Sequence, residues 1–267
     1  MALNPMELAA FDFLVQVERL YANLMAGADT GTHPDHQRTL GGKLLYAGEL
    51  DGKGRALLVA GNIGGAASLA ATADVAAQRQ AIHDGVADFL VTSLDEALRI
   101  LKNEIRKRET VAVCVAAAPE AIEREMLERG VLPDLLRPGS AEFAPLLRQG
   151  ARQIQLPSDK NDEIFLIWRV AAAPAQWLPK LDDRALNLLQ QDDWGARRWL
   201  RLAPRYLGRL GQGVRLLVCD RAFAARFLEQ VRNRVERGEI GVAVEIQVTG
   251  PGLCDRHSFS PPRDFES

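Results

Sequence analysis

Residues 55–71 read RALLVAGNIGGAASLAA, which places a cluster of glycines directly after a short apolar run. The opening run RALLVA is typical of a strand buried on both faces, and the pattern from about 64 to 84 is typical of a helix. Gly61 permits a tight turn, and Gly64 and Gly65 let the backbone approach a ligand closely. The free N–H groups and the dipole of the helix's first turn would then attract a phosphate group.

The spacing of these glycines leaves two interpretations open. It differs from the G-x-G-x-x-G fingerprint of dinucleotide-binding folds, so by itself it does not identify a nucleotide site. Either the turn holds the phosphates of a nucleotide, or it only packs the first helix against the sheet. A ribose-binding acid is expected at the end of the second strand, but the nearest acids, Asp95 and Glu96, follow Ser93 in a capping box.

The alternation of apolar runs and helical patterns continues along the chain. Such alternation predicts a parallel sheet with helices on both faces. We therefore predict an α/β fold, a single Rossmann-like domain over 1–267, with an N-terminal helix and loop over 1–40 and an irregular tail over 249–267. The N-terminal helix is predicted over 5–25. The predicted strands are RALLVA (55–60), DFLVT (88–92), TVAVCVA (110–116), EIFLIWRV (163–170), VRLLVCD (214–220) and VAVEIQV (242–248).

The composition indicates a soluble, cytoplasmic protein. The 33 Lys and Arg nearly balance the 35 Asp and Glu, so the net charge of −2 would not attract nucleic acid or an anionic membrane. The sequence has no apolar run long enough to span a bilayer, and its start lacks the features of a secretory signal. Its three cysteines are far apart, as expected in a reducing compartment. We expect neither a nucleic-acid partner nor a membrane partner.

Several isolated clusters have both a functional and a structural interpretation. His33 and His36 have an H-x-x-H spacing but no third ligand nearby, so no metal site is predicted. His257, close to an aspartate and a cysteine, suits either acid–base chemistry or an ordinary surface cluster. The run over 194–210 mixes arginines with aromatic residues, which we interpret as a packed helix pair rather than a nucleic-acid surface. Cys114 is expected in the core.

Six segments follow one another in an order shared with a known family. In that order they resemble urocanase, and together they cover most of residues 49–267. The segments are ELDGKGRALLVAGNIGGAASLAAT (49–72), LDEALRI (94–100), RGVLPDLL (129–136), FLIWRVAAAPAQWLPKLDDRALNLL (165–189), VRLLVCDRAFAARFLEQVRNRVERGEI (214–240) and TGPGLCDRHSFSPPRDFES (249–267).

The resemblance implies a Rossmann-like, NAD-binding core and the chemistry of the family. Urocanase hydrates urocanate to imidazolonepropionate in histidine breakdown. It holds NAD tightly, as an electrophile that adds to the imidazole of the substrate. Carried over to this chain, the resemblance assigns cofactor binding to Gly61, Asn62, Ile63, Gly64 and Gly65.

Features that belong to the family's catalysis differ in this sequence. Leu217 stands opposite the cysteine of the family's R-I-C motif, and Cys219 would point to the same face of a strand. Cys219 is therefore the candidate catalytic residue, with a buried small hydrophobe as the alternative. The family's Q-T-S-A-H-D turn appears as PGSAEF at 138–143, and we expect the family's terminal regions to be missing.

Two functional hypotheses follow. In the first, a urocanase-related chain keeps the scaffold, has lost urocanate hydration, and acts as a binding or partner module. In the second, the chain is an active, NAD-containing hydro-lyase, completed by a partner chain or acting on another ligand. We favour the first, because several NAD contacts and the cysteine position have changed together. The expected partners are a small-molecule or dinucleotide ligand and a second copy of the chain or another protein.

Overall fold

The structure is a computed structural model that describes residues 5–28, 39–137, 143–155 and 163–261. The contacts within the chain divide it into two compact units, Met1–Pro157 and Ser158–Ser267. No helix in the described ranges is long and apolar enough to cross a membrane.

The described part of the first unit is an α/β layer structure. In chain order its elements are α1 (Pro5–Ala26), β1 (Leu44–Glu49), α2 (Gly52–Gly64), β2 (Ala67–Ala71), α3 (Val75–His83), β3 (Phe89–Val91), α4 (Leu94–Lys107), β4 (Val111–Val115), α5 (Pro119–Glu128), β5 (Leu135–Leu136), α6 (Ala144–Arg148) and β6 (Arg152–Gln153).

The strands of the first unit form a six-stranded parallel sheet in the order β3-β4-β2-β1-β5-β6. On one face, strand residues such as Tyr46, Leu69 and Val113 form a core with α4, α5 and α6. On the other face, Leu45 and Ser68 lie against α2, and α1 packs on α2 as an outer layer. The α/β, Rossmann-like prediction with an N-terminal helix is confirmed.

Two predicted elements around the glycine cluster are wrong. Residues 55–60, predicted as a strand, lie inside helix α2, and the predicted helix over 64–84 divides into β2 and α3. The first strand is β1, LLYAGE, which the sequence analysis did not recognise. Since α2 is buried on nearly every side from Gly54 onward, its apolar residues run without a helical period. Periodicity alone cannot distinguish such a helix from a buried strand.

Two aspartates fix the register of the sheet at its amino edge. Asp134, just before β5, donates its N–H to the Leu44 oxygen at 2.9 Å, and its Oδ2 accepts from the Leu44 N–H at 2.8 Å. Asp88, just before β3, makes the same pair of bonds with Ala112, both at 2.8 Å. Because a one-residue slip would break both bonds at each site, these aspartates oppose alternative pairings.

The second unit is built on an antiparallel sheet. Its elements are β7 (Ile164–Val170), α7 (Pro174–Leu188), α8 (Trp194–Tyr206), β8 (Val214–Cys219), α9 (Arg221–Glu236), β9 (Val244–Gly250) and β10 (Leu253–Phe259). The four strands pair in the order β10-β9-β7-β8.

This second sheet corrects the expected organisation of the C-terminal half. The predicted strands over 163–170, 214–220 and 242–248 are present, but they form the separate antiparallel sheet instead of continuing the parallel one. The tail over 249–267, expected to be irregular, contains β10, which pairs along its whole length with β9. The single domain over 1–267 stays a prediction, beside the two compact units into which the contacts divide the chain. An apolar run buried on both faces carries no information about the direction of its neighbours.

A buried ion pair links helix α7 to the sheet of the second unit. Arg215 Nε donates to Asp182 Oδ2 at 2.7 Å, and Trp168 Nε1 donates to Asp182 Oδ1 at 3.2 Å. Arg215 also donates to the backbone oxygens of Gly211 and Val214. Burial raises the pKa of Asp182 to about 6, although the Arg215 charge and hydrogen bond oppose the rise. Removing either charge would leave the other buried and unpaired.

We expect Asp182→Ala to lower the free energy of unfolding of the second unit by about 3–5 kcal/mol, because Arg215 loses its buried partner. Urea unfolding followed by tryptophan fluorescence measures this loss. The matched control is Asp183→Ala, at the exposed neighbouring position, which should change stability by no more than about 0.5 kcal/mol. Equal effects of the two substitutions would contradict this account of the ion pair.

Candidate functional site

The carboxyl ends of β1 and β5 lie side by side where the strand order of the first unit reverses. From β1 the chain runs outward through β2 to β3 and β4, and it then returns to β5 on the other side of β1. In open α/β sheets, the crevice at such a point is where ligands bind. The turn over 48–54, which leads from β1 into α2, and Arg137, directly after β5, lie at this point.

The backbone of the turn departs from a regular strand before β1 ends. Tyr46 pairs with Leu69, but Gly48 pairs with Ala70, so Ala47 is an extra residue in β1. Gly48 has φ +69°, a conformation that glycine adopts without steric cost. The bulge and the left-handed glycine together bend the chain out of the sheet and into α2.

Gly54 lets the first turn of α2 lie against the end of β1. A Cβ on Gly54 would be 2.0 Å from the backbone oxygen of Glu49, so a larger residue requires the helix to move. A Cβ on Gly52, in contrast, would meet no atom within 4 Å. Glycine at position 54 is therefore needed for close helix–strand packing, the role of the last glycine in dinucleotide-binding turns.

Asp51 caps this helix, and both oxygens of its carboxylate are occupied. Oδ1 accepts a hydrogen bond from the Gly54 N–H at 2.7 Å, and Oδ2 accepts one from Arg137 Nη2 at 2.8 Å. Arg137 Nη1 donates to the Glu49 backbone oxygen at 2.9 Å. One guanidinium thus joins the end of β5, the end of β1 and the cap of α2. We call this arrangement the Asp51–Arg137 clamp.

Asp51 is ionised at neutral pH within the clamp. Partial burial alone would raise its pKa, but the hydrogen bonds from Arg137 and Gly54 and the Arg137 charge together lower its pKa below the ordinary value. Its side chain is 47% exposed and that of Arg137 18% exposed, so the pair faces the crevice without being buried in it. A negative charge therefore lies at the positive end of the α2 dipole.

The residues that the sequence analysis assigned to cofactor binding lie elsewhere. Gly61, Asn62, Ile63 and Gly64 form the last turn of α2, and Gly65 is its C-cap with φ +96°. All five are buried. They directly precede β2, and therefore lie at the amino edge of the sheet, opposite the switch point. A helix C-terminus presents backbone oxygens instead of N–H groups, so the premise for phosphate binding at these residues does not hold.

The packing interpretation of this glycine cluster fits its surroundings. A Cβ on Gly61 would lie 2.5 Å from Leu45 Cδ2 and 2.9 Å from Ser68 Oγ. A Cβ on Gly64 would lie 2.8 Å from Leu40 Cδ1. Glycine at 61 lets α2 lie close to β1 and β2, and glycine at 64 leaves room for Leu40.

We expect Gly61→Ala to destabilise the first unit by about 1–3 kcal/mol through overpacking. Gly52→Ala, at the open position at the start of the same helix, serves as the control and should be close to neutral. Thermal unfolding of the two variants measures the difference. If Gly61→Ala is as stable as the wild type, close packing does not explain the cluster.

A comparison with protein families supports this assignment of the first unit. Residues 21–146 match the family model described as the urocanase Rossmann-like domain. The first unit therefore contains a urocanase Rossmann-like domain. The match lies wholly within the first unit, and its range includes both members of the Asp51–Arg137 clamp.

The match to the urocanase Rossmann-like domain implies NAD in that family, and the switch-point turn tests whether this chain can hold it. A dinucleotide's pyrophosphate needs free N–H groups at the first turn of the helix. Here the Gly54 N–H is bonded to Asp51, and the carboxylate brings a negative charge to the place where the pyrophosphate would lie. Although the first unit matches the urocanase Rossmann-like domain, these residues do not fit a pyrophosphate.

Cys219, the candidate catalytic residue, lies outside the urocanase match, at the end of β8 in the second unit. Burial, together with the charge of Asp220, raises the pKa of its thiol to about 12. Since the thiolate is the nucleophile, this cysteine is a poor nucleophile at neutral pH. Leu217, opposite the family's cysteine, is buried in the same strand.

The acids considered for a ribose have structural partners. The Ser93 hydroxyl accepts from the Glu96 N–H, and Asp95 pairs with Arg129 at 2.6 Å. Cys114 is fully buried, as expected, and burial raises the pKa of its thiol to about 11.

The other sequence candidates are placed as follows. His33 and His36 lie outside the described residues. His257 stacks on the Phe259 ring within β10, with ring centroids 6.2 Å apart. Trp199, in the arginine-rich run, is buried. Within the described part of the chain, no group of three or more His, Cys, Asp or Glu side chains could hold a metal ion.

The sequence analysis did not single out Asp51 or Arg137. The available signal was GELDGKG at 48–54, where an aspartate precedes two glycines directly after an apolar run. Arg137 has no local signal, because only the strand order brings it beside β1.

Proposed function

We propose that this urocanase-family chain keeps the Rossmann-like scaffold without the family's NAD-dependent hydration of urocanate, and serves as a binding or partner module. The observation that supports this proposal is the Asp51–Arg137 clamp, in which an internal carboxylate takes the helix donor that a cofactor phosphate would need. The raised thiol pKa of Cys219 supports the same conclusion, because it leaves the candidate nucleophile protonated.

We expect the purified chain to retain no NAD. The test is to incubate it with excess NAD, desalt it, denature it, and quantify the released nucleotide per chain by mass spectrometry. The same sample should not deplete urocanate, followed by its ultraviolet absorbance. Near-stoichiometric NAD together with urocanate depletion would contradict the proposal.

A second candidate function is an active hydratase or lyase that a partner chain completes. The observation that favours it is the turn itself, since the bulge, Gly48 and Gly54 keep the close helix–strand geometry of a dinucleotide-binding fold. Retained NAD would favour this candidate over the module.

The partner in the first proposal is a second copy of the chain or another protein. The expectation of self-association comes from the urocanase resemblance. Light scattering distinguishes the two kinds of partner. A monodisperse monomer would exclude a second copy of the chain as the partner.

A further inference from the structure

We propose that Asp51 is the residue that excludes dinucleotides from the switch-point turn, and that the rest of the turn remains competent to receive a pyrophosphate. This inference rests on the proposed function, because it assumes that the wild-type chain does not hold NAD. It goes further by assigning the loss to one side chain.

Apart from the Asp51 carboxylate, the turn resembles the phosphate-binding turn of a dinucleotide-binding fold. The turn has three features that a dinucleotide-binding fold requires: a switch-point location, a left-handed glycine at Gly48, and the close approach at Gly54. Gly52, at the start of α2, is open on its outer side, so no side chain crowds the backbone there. Two carboxylates of the turn accept backbone N–H groups: Glu49 Oε1 accepts from Leu50 at 3.1 Å, and Asp51 Oδ1 accepts from Gly54, so Asp51 is the one that occupies a donor of α2.

The negative charge of Asp51 opposes the binding of a pyrophosphate. Asp51 is ionised at neutral pH, and Arg137 and the Gly54 N–H lower its pKa against the effect of partial burial. A pyrophosphate at the same place would repel this carboxylate and would have to separate it from Arg137. Without the carboxylate, the Gly54 N–H and the Arg137 guanidinium would both be available to an anion.

The backbone at position 51 tolerates substitution of the aspartate. Asp51 has φ −75° and ψ −174°, an extended conformation that any residue adopts. Glycine is acceptable at an N-cap, so Asp51→Gly removes the obstruction while keeping the helix start. Asp51→Asn keeps a capping oxygen and removes only the charge.

The experiment compares NAD affinity by isothermal titration calorimetry for the wild type, Asp51→Gly and Asp51→Asn. The matched control is Asp220→Gly in the second unit, where Asp220 caps α9 through the Phe223 N–H at 2.6 Å. We expect Asp51→Gly to bind NAD about tenfold or more tighter than the wild type, with Asp51→Asn in between and Asp220→Gly unchanged. Adding Arg137→Gln to Asp51→Gly should reduce the gain.

Circular dichroism melts establish that each variant is folded, and Asp51→Asn carries the test if Asp51→Gly is not. Folded variants at position 51 that bind NAD no better than the wild type would overturn the inference and leave the proposed function standing. A gain in Asp220→Gly equal to that of Asp51→Gly would also overturn it. Tight NAD binding by the wild type would instead overturn the proposed function.

Discussion

The close contact between the first turn of α2 and the last residue of β1 sets the geometry of the carboxyl edge. It requires glycine at position 54, where a Cβ would lie 2.0 Å from the Glu49 oxygen. It brings the Gly54 N–H within reach of the Asp51 carboxylate and the Glu49 oxygen within reach of Arg137. The clamp is therefore a consequence of a helix that begins directly against its strand, which is also the arrangement that dinucleotide-binding folds use.

The parts of the first unit that specify its fold lie away from this edge. Asp88 and Asp134 fix the register at the amino edge, and Gly61 packs α2 against β1 and β2. The loop at the switch point can change its chemistry without disturbing these contacts. This separation is compatible with our proposal that the chain keeps the scaffold with an altered site, because fold and function can depend on different residues.

The sequence predicted the fold class and the N-terminal helix but misplaced the two elements around the glycine cluster. The run RALLVA was predicted as a strand because α2 is apolar on nearly every side, which removes the helical period. That error placed the expected phosphate site at 61–65, which lies at the amino edge of the sheet and not at the switch point. The strands of the second unit were found, but their antiparallel pairing was not, since an apolar strand does not encode the direction of its neighbour.

The candidate site could not be predicted from local sequence patterns, for a different reason. Asp51 is an ordinary N-cap in sequence, and its proposed role as an obstruction depends on α2 beginning at the switch point. Arg137 is 86 positions away in the chain and joins the clamp through the pairing of β5 with β1. Strand order, which tertiary packing decides, was the missing information.

The central claim is that an ionised Asp51 occupies the N–H of Gly54. Nuclear magnetic resonance tests it directly, by titrating the Asp51 carboxyl carbon and the Gly54 amide with pH, first without and then with excess NAD. The account predicts that both signals report one carboxyl pKa below the ordinary value for aspartate and that NAD changes neither signal. An ordinary pKa for Asp51, or a Gly54 amide that responds to NAD instead of to the carboxyl titration, would contradict it.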